Sequence, residues 1–132
     1  MRPPATIVSL VGILLLSGSF AATWVVDPGG GGDATTIQGG VDLASGGDEV
    51  LIQPGTYGEE VAVPVPLTLR GVAGREATVI DAEDVRPFCL HLGANAGGSL
   101  VEGLTLTGVN GGYGYCTGVS AMNIACDATV SS

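Results

Sequence analysis

The sequence predicts an all-β chain, built as a solenoid of short strands behind one short helix. After Gly47, β-type runs of about two to five residues alternate with turns that contain Gly, Pro, Asn or Asp. No apolar pattern with helical period occurs after Ser45. Strand-plus-glycine motifs recur: Leu67–Gly71 has an echo at Leu104–Gly108, and its last three residues have a second echo at Val101–Gly103. A sandwich of short strands is the competing architecture.

Residues 1–21 have the features of a secretory signal peptide. Arg2 precedes the apolar run Ala5–Leu16, and small residues follow it. Cleavage after Ala21 places Ser19 and Ala21 at the two positions where signal peptidases require small side chains. The run is shorter than the about 20 residues that cross a membrane; an uncleaved anchor is the alternative. We therefore expect a secreted, periplasmic or cell-surface protein, without membrane contact after cleavage.

A Gly-rich linker and a short helix come next. Residues 22–34 contain four consecutive glycines and are predicted to be the linker. Thr35 and Gln38 fit a capping box, and Gly46 is a suitable C-cap. Gly39-Gly40 costs such a helix about 2 kcal/mol relative to two alanines. The helix therefore needs to dock its apolar face, which consists of Ile37, Val41 and Ala44.

The strands follow, separated by turns such as Pro54-Gly55, which is typical of a type II turn. In Leu67–Arg70 the leucines face one way, and Arg70 faces outward, where we expect a neighbouring acid. In Phe88–Leu92, three apolar residues share a face and leave Cys89 and His91 on the other. The predicted strands are Glu49–Gln53, Val61–Val63, Leu67–Arg70, Thr78–Asp81, Phe88–Leu92, Leu100–Val101, Leu104–Thr107 and Ala121–Ala125.

Composition limits the partners. The chain has four arginines, no lysine and 13 acidic residues, which gives a net charge of −9. So few cations cannot neutralise several phosphates, which argues against nucleic acid and anionic membranes. The three cysteines, Cys89, Cys116 and Cys126, are interpreted as small buried residues, with one disulfide as the alternative. With one histidine and no C-x-x-C motif, no zinc site is expected.

Few side chains suggest a site. Asp81, Glu83 and Asp84, with Arg86 nearby, form the densest ionisable cluster; a solvated turn is the first interpretation, and a Ca²⁺ site or acid–base catalysis are alternatives. Tyr113 and Tyr115 are the candidate sugar-binding platform, ahead of the other aromatic residues; Tyr57 is expected to pack against the cap. The acidic pairs Asp48-Glu49 and Glu59-Glu60 are interpreted as solvated turn charges.

A series of motifs gives the chain a family resemblance. The short helix, an acidic turn and a strand that closes in "PGTY" are followed by "PLTLRG", "ATVIDA", "SLVEGLTLTGVNGG" and "GGYGYCTGVSAMNIAC". From Thr35 to Cys126 this series resembles the N-terminal coils of right-handed parallel β-helix proteins of the pectate-lyase-like superfamily. The resemblance implies a capping helix and about four coils in residues 35–132. Because family members stack many more coils, it also predicts the front portion of a longer protein or a truncated gene product.

The resemblance implies two functions. Enzymes of this superfamily cleave or epimerise acidic polysaccharides, with Ca²⁺ and a basic Arg in lyases or clustered Asp in hydrolases, on central coils. The matched segment hardly reaches such coils, so we expect no catalytic residue within it. The first hypothesis is therefore an exported β-helix module that is structural or carbohydrate-binding, with a polysaccharide as partner and no cofactor beyond the Ca²⁺ alternative. The second is the N-terminal part of a polysaccharide lyase or related carbohydrate-active enzyme.

Overall fold

Parallel strands and one short helix make up the structure, a computed structural model that describes residues 20–86, 88–109, 116–118 and 126–131. The prediction of an all-β chain with a single short helix is confirmed for these residues. The elements are β1 Thr23–Val26, α1 Ile37–Leu43, β2 Glu49–Ile52, β3 Gly55–Tyr57, β4 Val61–Val63, β5 Thr68–Gly71, β6 Thr78–Arg86, β7 Leu90–Leu92, β8 Leu100–Val109, β9 Cys116–Gly118 and β10 Cys126–Ser131.

The strands form two sheets, and every described pair is parallel. The larger sheet has the order β1-β2-β5-β8-β6-β3, with β10 also on β8, and the smaller has the order β4-β7-β9. Strands β2, β3 and β4 pair with β5, β6 and β7 in the same order. Strand β5 then pairs with the first part of β8, β6 pairs mainly with its second part, and β7 pairs with β9. Each set of three strands thus lies beside the next set.

The core consists of residues that occupy equivalent positions on paired strands. In register, Leu69 lies between Val50 and Val101, and Ile80 lies between Tyr57 and Leu106. All are buried, with exposed fractions of 4% or less. Each such aliphatic side chain contributes about 1.5–3 kcal/mol relative to an exposed one. The predicted inward orientation of Leu67 and Leu69 is confirmed.

Several strands differ from those predicted. Within the segment assigned to a linker, 22–34, Thr23–Val26 forms β1 on β2, and Val26 is fully buried. Strands β3, β9 and β10 were not predicted, and the two predicted runs at 100–107 form the single strand β8. Most of these strands are short, and β8 is interrupted by glycine, so the local sequence gives little signal for them. They form because they pair with strands that are distant in sequence. The predicted strand Ala121–Ala125 lies outside the described residues.

Two local predictions are wrong because the chain bends where a strand begins. Gly55 has a φ of 157° and is the first residue of β3, whereas a type II turn needs a φ near +80°. Cys89 is fully buried rather than on the face opposite to Leu90, because it precedes β7 and alternation applies only within a strand. Phe88 is half-buried, with its ring centroid 5.3 Å from that of His91.

Helix α1 begins and ends close to the predicted positions. Its N-cap is Thr36, not Thr35, and the Thr36 hydroxyl accepts a hydrogen bond from the Gly39 amide. The C-cap is Ala44 rather than Gly46. Ile37 and Val41 are buried as the apolar pattern predicts.

Gly40 has a packing role that its low helix propensity conceals. A Cβ at this position would lie 2.5 Å from Val26 Cγ2 and 3.1 Å from Val50 Cγ1. The missing side chain therefore lets the helix backbone approach β1 and β2 closely. The helix thus docks on the two strands, as the sequence predicts for a helix with two central glycines.

The helix also covers the edge of β4, the first strand of the smaller sheet. The Gln38 side-chain carbonyl accepts from Ala62 N at 2.7 Å, and its amide donates to Ala62 O at 3.0 Å. One side chain thereby supplies both hydrogen bonds that a neighbouring strand would make. An exposed edge would otherwise offer unpaired backbone groups to another chain.

Two stacked glycines mark the point where β5 meets β8. Leu69 pairs with Val101 and Arg70 with Glu102, so the echo at Val101–Gly103 corresponds to neighbouring strands. The echo at Leu104–Gly108 does not, because the second part of β8 pairs with β6 instead. Gly103 has a φ of 69°, and a Cβ there would lie 2.5 Å from the Gly71 carbonyl oxygen. Both the left-handed φ and the close approach require glycine.

We expect Gly103→Ala to lower the free energy of unfolding by about 1–3 kcal/mol, because alanine is strained at this φ and contacts the Gly71 carbonyl. Gly97→Ala is the control, since a Cβ there meets no atom within 4 Å and its φ is not positive. It should change stability by less than about 0.5 kcal/mol. Urea unfolding measures both, and equal midpoints for the two variants would contradict the stacking role of Gly103.

Gln38→Leu should lower the free energy of unfolding by about 1 kcal/mol and accelerate hydrogen exchange at the Ala62 amide, because both bonds to the edge of β4 are lost. Asp42→Ala is the matched control: it removes the bond from the Gln38 amide to the Asp42 carboxylate and leaves the bonds to Ala62 in place. Exchange followed by NMR distinguishes them. Unchanged protection of Ala62 in Gln38→Leu would show that the edge is covered by something other than this side chain.

Candidate functional site

The outward face of β2, β5 and β8 carries a row of paired charges. Arg70 Nη1 lies 3.1 Å from Glu49 Oε2, and Arg70 Nε donates to Glu102 Oε1. The hydrogen bond to Glu102, then the charges of Glu102 and Glu49, raise the pKa of Arg70 above its usual value. The expectation that Arg70 meets a neighbouring acid is confirmed.

This arrangement limits what Arg70 can do chemically. A guanidinium held between two carboxylates stays protonated, so it cannot accept a proton as a general base. Its side chain is 42% exposed, so solvent screens the pairs and they add little to stability. The face is therefore a polar surface on which one guanidinium is shared by two carboxylates.

The predicted ionisable cluster lies within β6, so the interpretation as a turn after the strand is wrong. Asp81 Oδ1 accepts a hydrogen bond from Glu83 N at 2.8 Å, and Glu83 Oε2 lies 2.8 Å from Arg86 Nη1. Each of these carboxylates thus has a local partner. No group of three or more metal-ligating side chains is found among the described residues. The side chain of Asp84 is not among them, so the Ca²⁺ alternative stays a prediction.

The described aromatic residues range from buried to exposed. Tyr57 is 4% exposed and donates its hydroxyl to Gln53 O at 2.7 Å, so it is buried in the core; its expected packing against the cap stays a prediction. Trp24 is half-buried and donates its indole N–H to Asp48. Tyr113 and Tyr115, the predicted sugar platform, lie outside the described residues. The platform therefore stays a prediction.

Three of the four acids interpreted as solvated turn charges have structural roles instead. Glu49 pairs with Arg70, and the Glu59 carboxylate accepts hydrogen bonds from the Ile37 and Gln38 amides at the start of α1. Asp48 is 6% exposed and accepts three hydrogen bonds. Sequence reasoning missed Asp48, although an acid between a glycine turn and a strand is a signal for such a role.

Asp48 holds three separate segments together. Its Oδ1 accepts from Ala22 N at 2.8 Å, and its Oδ2 accepts from Ser45 N at 2.8 Å and from Trp24 Nε1 at 3.0 Å. These hydrogen bonds lower the pKa of Asp48 below its usual value, and the bond from Ser45 N makes the largest contribution. The carboxylate thus joins the start of β1 and the end of the helix to β2.

Cys89 is a free, buried thiol. Its Sγ lies 3.2 Å from Thr107 O and 3.6 Å from Ile80 O. Burial raises the pKa of this thiol, which suppresses the reactive thiolate. The interpretation as a small core residue is confirmed for Cys89, whereas the side chains of Cys116 and Cys126 are not described.

Comparisons with protein-family models, curated proteins and solved structures gave no match to this chain. No helix in the described part is long and apolar enough to cross a membrane.

Tyr57 predicts a specific alkaline behaviour. Burial, then the charges of Asp27 and Glu59, raise the pKa of Tyr57 to about 12. A group whose pKa is raised by folding stabilises the fold below its unfolded pKa, about 10 for tyrosine, and loses that contribution above it. We therefore expect stability to fall as the pH rises from about 10 towards 12, and Tyr57→Phe to abolish this component.

Thermal unfolding at several alkaline pH values measures this component, and the ultraviolet absorbance of tyrosinate follows the ionisation directly. Tyr57→Phe should also cost about 1 kcal/mol at neutral pH, because the hydrogen bond to Gln53 O is lost. Normal ionisation of Tyr57 near pH 10 in the folded protein would contradict its buried position.

Proposed function

We propose that the chain is an exported right-handed parallel β-helix module of the pectate-lyase-like kind, which serves as a carbohydrate-binding surface scaffold without a catalytic site of its own. The observation that carries the proposal is the pairing of β2, β3 and β4 with β5, β6 and β7 in the same order. A chain that winds as a helix of strands produces this pattern, each turn being one coil.

The spacing of the pairs supports the winding. Glu49 pairs with Thr68, and the separation in sequence between partners is larger for the later pairs, Gly55 with Thr78 and Val61 with Leu90. Extra residues thus enter at the corners, whereas the strands stay in register. The right hand of the winding follows from the strong preference of parallel strand connections for that hand.

The charges favour a neutral polysaccharide as the ligand. The net charge is −9, so a polyanionic chain is repelled at long range. Arg70 and Arg86 both pair with carboxylates of the same surface. Sugar rings of neutral glycans bind instead by stacking on aromatic faces, for which Tyr113 and Tyr115 are the proposed residues.

Calorimetric titration of the exported protein with soluble neutral glycans and with polygalacturonate tests the proposal. We expect binding of a neutral glycan, weakened about tenfold or more by Tyr113→Ala or Tyr115→Ala. Tyr57→Phe is the control, because this buried ring is not accessible to a sugar and the variant should bind normally.

Two outcomes would contradict the proposal. Tighter binding of polygalacturonate than of every neutral glycan would overturn the assignment of ligand class. Formation of unsaturated products from polygalacturonate, detected by their ultraviolet absorbance, would favour the lyase hypothesis over a non-catalytic module.

A further inference from the structure

Ala22 is held in place by both of its backbone polar groups. Its N–H donates to Asp48 Oδ1 at 2.8 Å, and its carbonyl accepts from Glu49 N at 2.9 Å. The next residue, Thr23, begins β1. The hydrogen bonds that hold the chain beside β2 therefore begin at the backbone nitrogen of Ala22.

The residues just before Ala22 are exposed. Phe20 has an exposed fraction of 84%, and Ala21 is also exposed. The small residues Ser19 and Ala21 place the predicted cleavage after Ala21. The scissile bond is thus accessible, and the atom that it releases is the one that contacts Asp48.

We propose that cleavage after Ala21 creates an α-ammonium group on Ala22 that forms an ion pair with Asp48 and completes the N-terminal cap. Hydrolysis consumes one water molecule, which is the co-reactant of an endopeptidase that cuts after small residues. The peptide bond breaks; the Ala21 carbonyl carbon gains the water oxygen and leaves as a carboxylate. The nitrogen of Ala22 gains protons and becomes –NH₃⁺. The processed chain thus carries a cation at the site where the precursor has an amide.

The position of Asp48 makes this change consequential. Before cleavage the carboxylate receives hydrogen bonds from neutral groups: two backbone amides and an indole. A buried carboxylate with a cationic donor at hydrogen-bond distance is held more strongly than one with a neutral donor. Other charged groups on the packed segments have their own partners: Glu49 pairs with Arg70, Asp42 accepts from Gln38, and Asp33 accepts from Val25 N.

The ion pair has a defined pH window. The carboxylate raises the pKa of the α-amine above its usual range of about 7.7–8.0, so the contribution is present below about pH 8 and lost as the pH rises through the folded value. Because folding lowers the pKa of Asp48, the contribution of its carboxylate to stability is present above about pH 4 and is lost on further acidification. The inference relies on the proposed export only for the enzyme that cuts; the contact itself can be tested in chains that begin at chosen residues.

The cleavage position is tested by N-terminal sequencing and intact mass of the protein recovered from the medium or periplasm. We expect a chain that begins at Ala22. A start at any other residue, or an intact leader, would overturn the proposal. Polysaccharide binding takes no part in this measurement, so failure here is distinct from failure of the proposed function.

The ion pair is tested with chains released from a cleavable fusion so that they begin at Ala22 or at Phe20. Both keep the hydrogen bond from Ala22 N to Asp48, but only the shorter chain has the charge there. At neutral pH and low salt we expect the Ala22 chain to have a Tm higher by roughly 4–8 °C. The difference should disappear in Asp48→Asn and above about pH 10. Equal Tm values, or a difference that persists in Asp48→Asn, would overturn it.

A second measurement covers the case in which Asp48→Asn fails to fold. In the wild-type chain that begins at Ala22, NMR of the labelled first residue gives the pKa of the α-amine directly. We expect a value above the usual range of about 7.7–8.0. A value within or below that range would show that the ammonium does not contact Asp48.

Discussion

The structure depends on the return of the chain, after one coil of the proposed winding, to the same register beside its previous strand. Parallel strands that pair in register bury equivalent positions, as Val50, Leu69 and Val101 do. This register brings two backbones so close at Gly71 and Gly103 that neither position accepts a side chain without strain. Corners vary in length because they lie outside the paired positions.

A stack of strands has an exposed first member, and polar side chains of the helix and its surroundings solve this problem. Gln38 makes the hydrogen bonds of a neighbouring strand at the edge of β4. Glu59 accepts hydrogen bonds from the first amides of the helix, and Asp48 joins β1 to the end of the helix. Each of these groups satisfies backbone atoms that would otherwise be unpaired. The hydrophobic docking of Gly40 against Val26 and Val50 then holds the helix in place.

The sequence predicted what is local and failed where partners are distant. Alternation in Leu67–Arg70 sufficed to place buried and outward-facing residues, because the period of a strand is a local property. Strand β1 escaped notice because its pairing partner, β2, lies beyond the glycine run and the helix. The echoes indicated repeated strands but not which strands are neighbours: Val101–Gly103 lies beside β5, whereas Leu104–Gly108 pairs with β6. For the candidate site, the acid beside Arg70 was predicted, but the burial of Asp48 was not.

The acids of the N-terminal region show that part of the negative net charge serves the fold itself. Asp33, Asp48 and Glu59 accept backbone hydrogen bonds, and Glu49 neutralises Arg70. Asp48, Glu49 and Glu59 were interpreted as solvated turn charges, yet they bind backbone amides at the two helix ends or pair with an arginine on the sheet. The acidity of the chain therefore reflects in part the hydrogen bonds that these acids make within the N-terminal region, and a cation-binding function does not follow from it. A ligand therefore has to be recognised by side chains that neither make these structural contacts nor lie in the core.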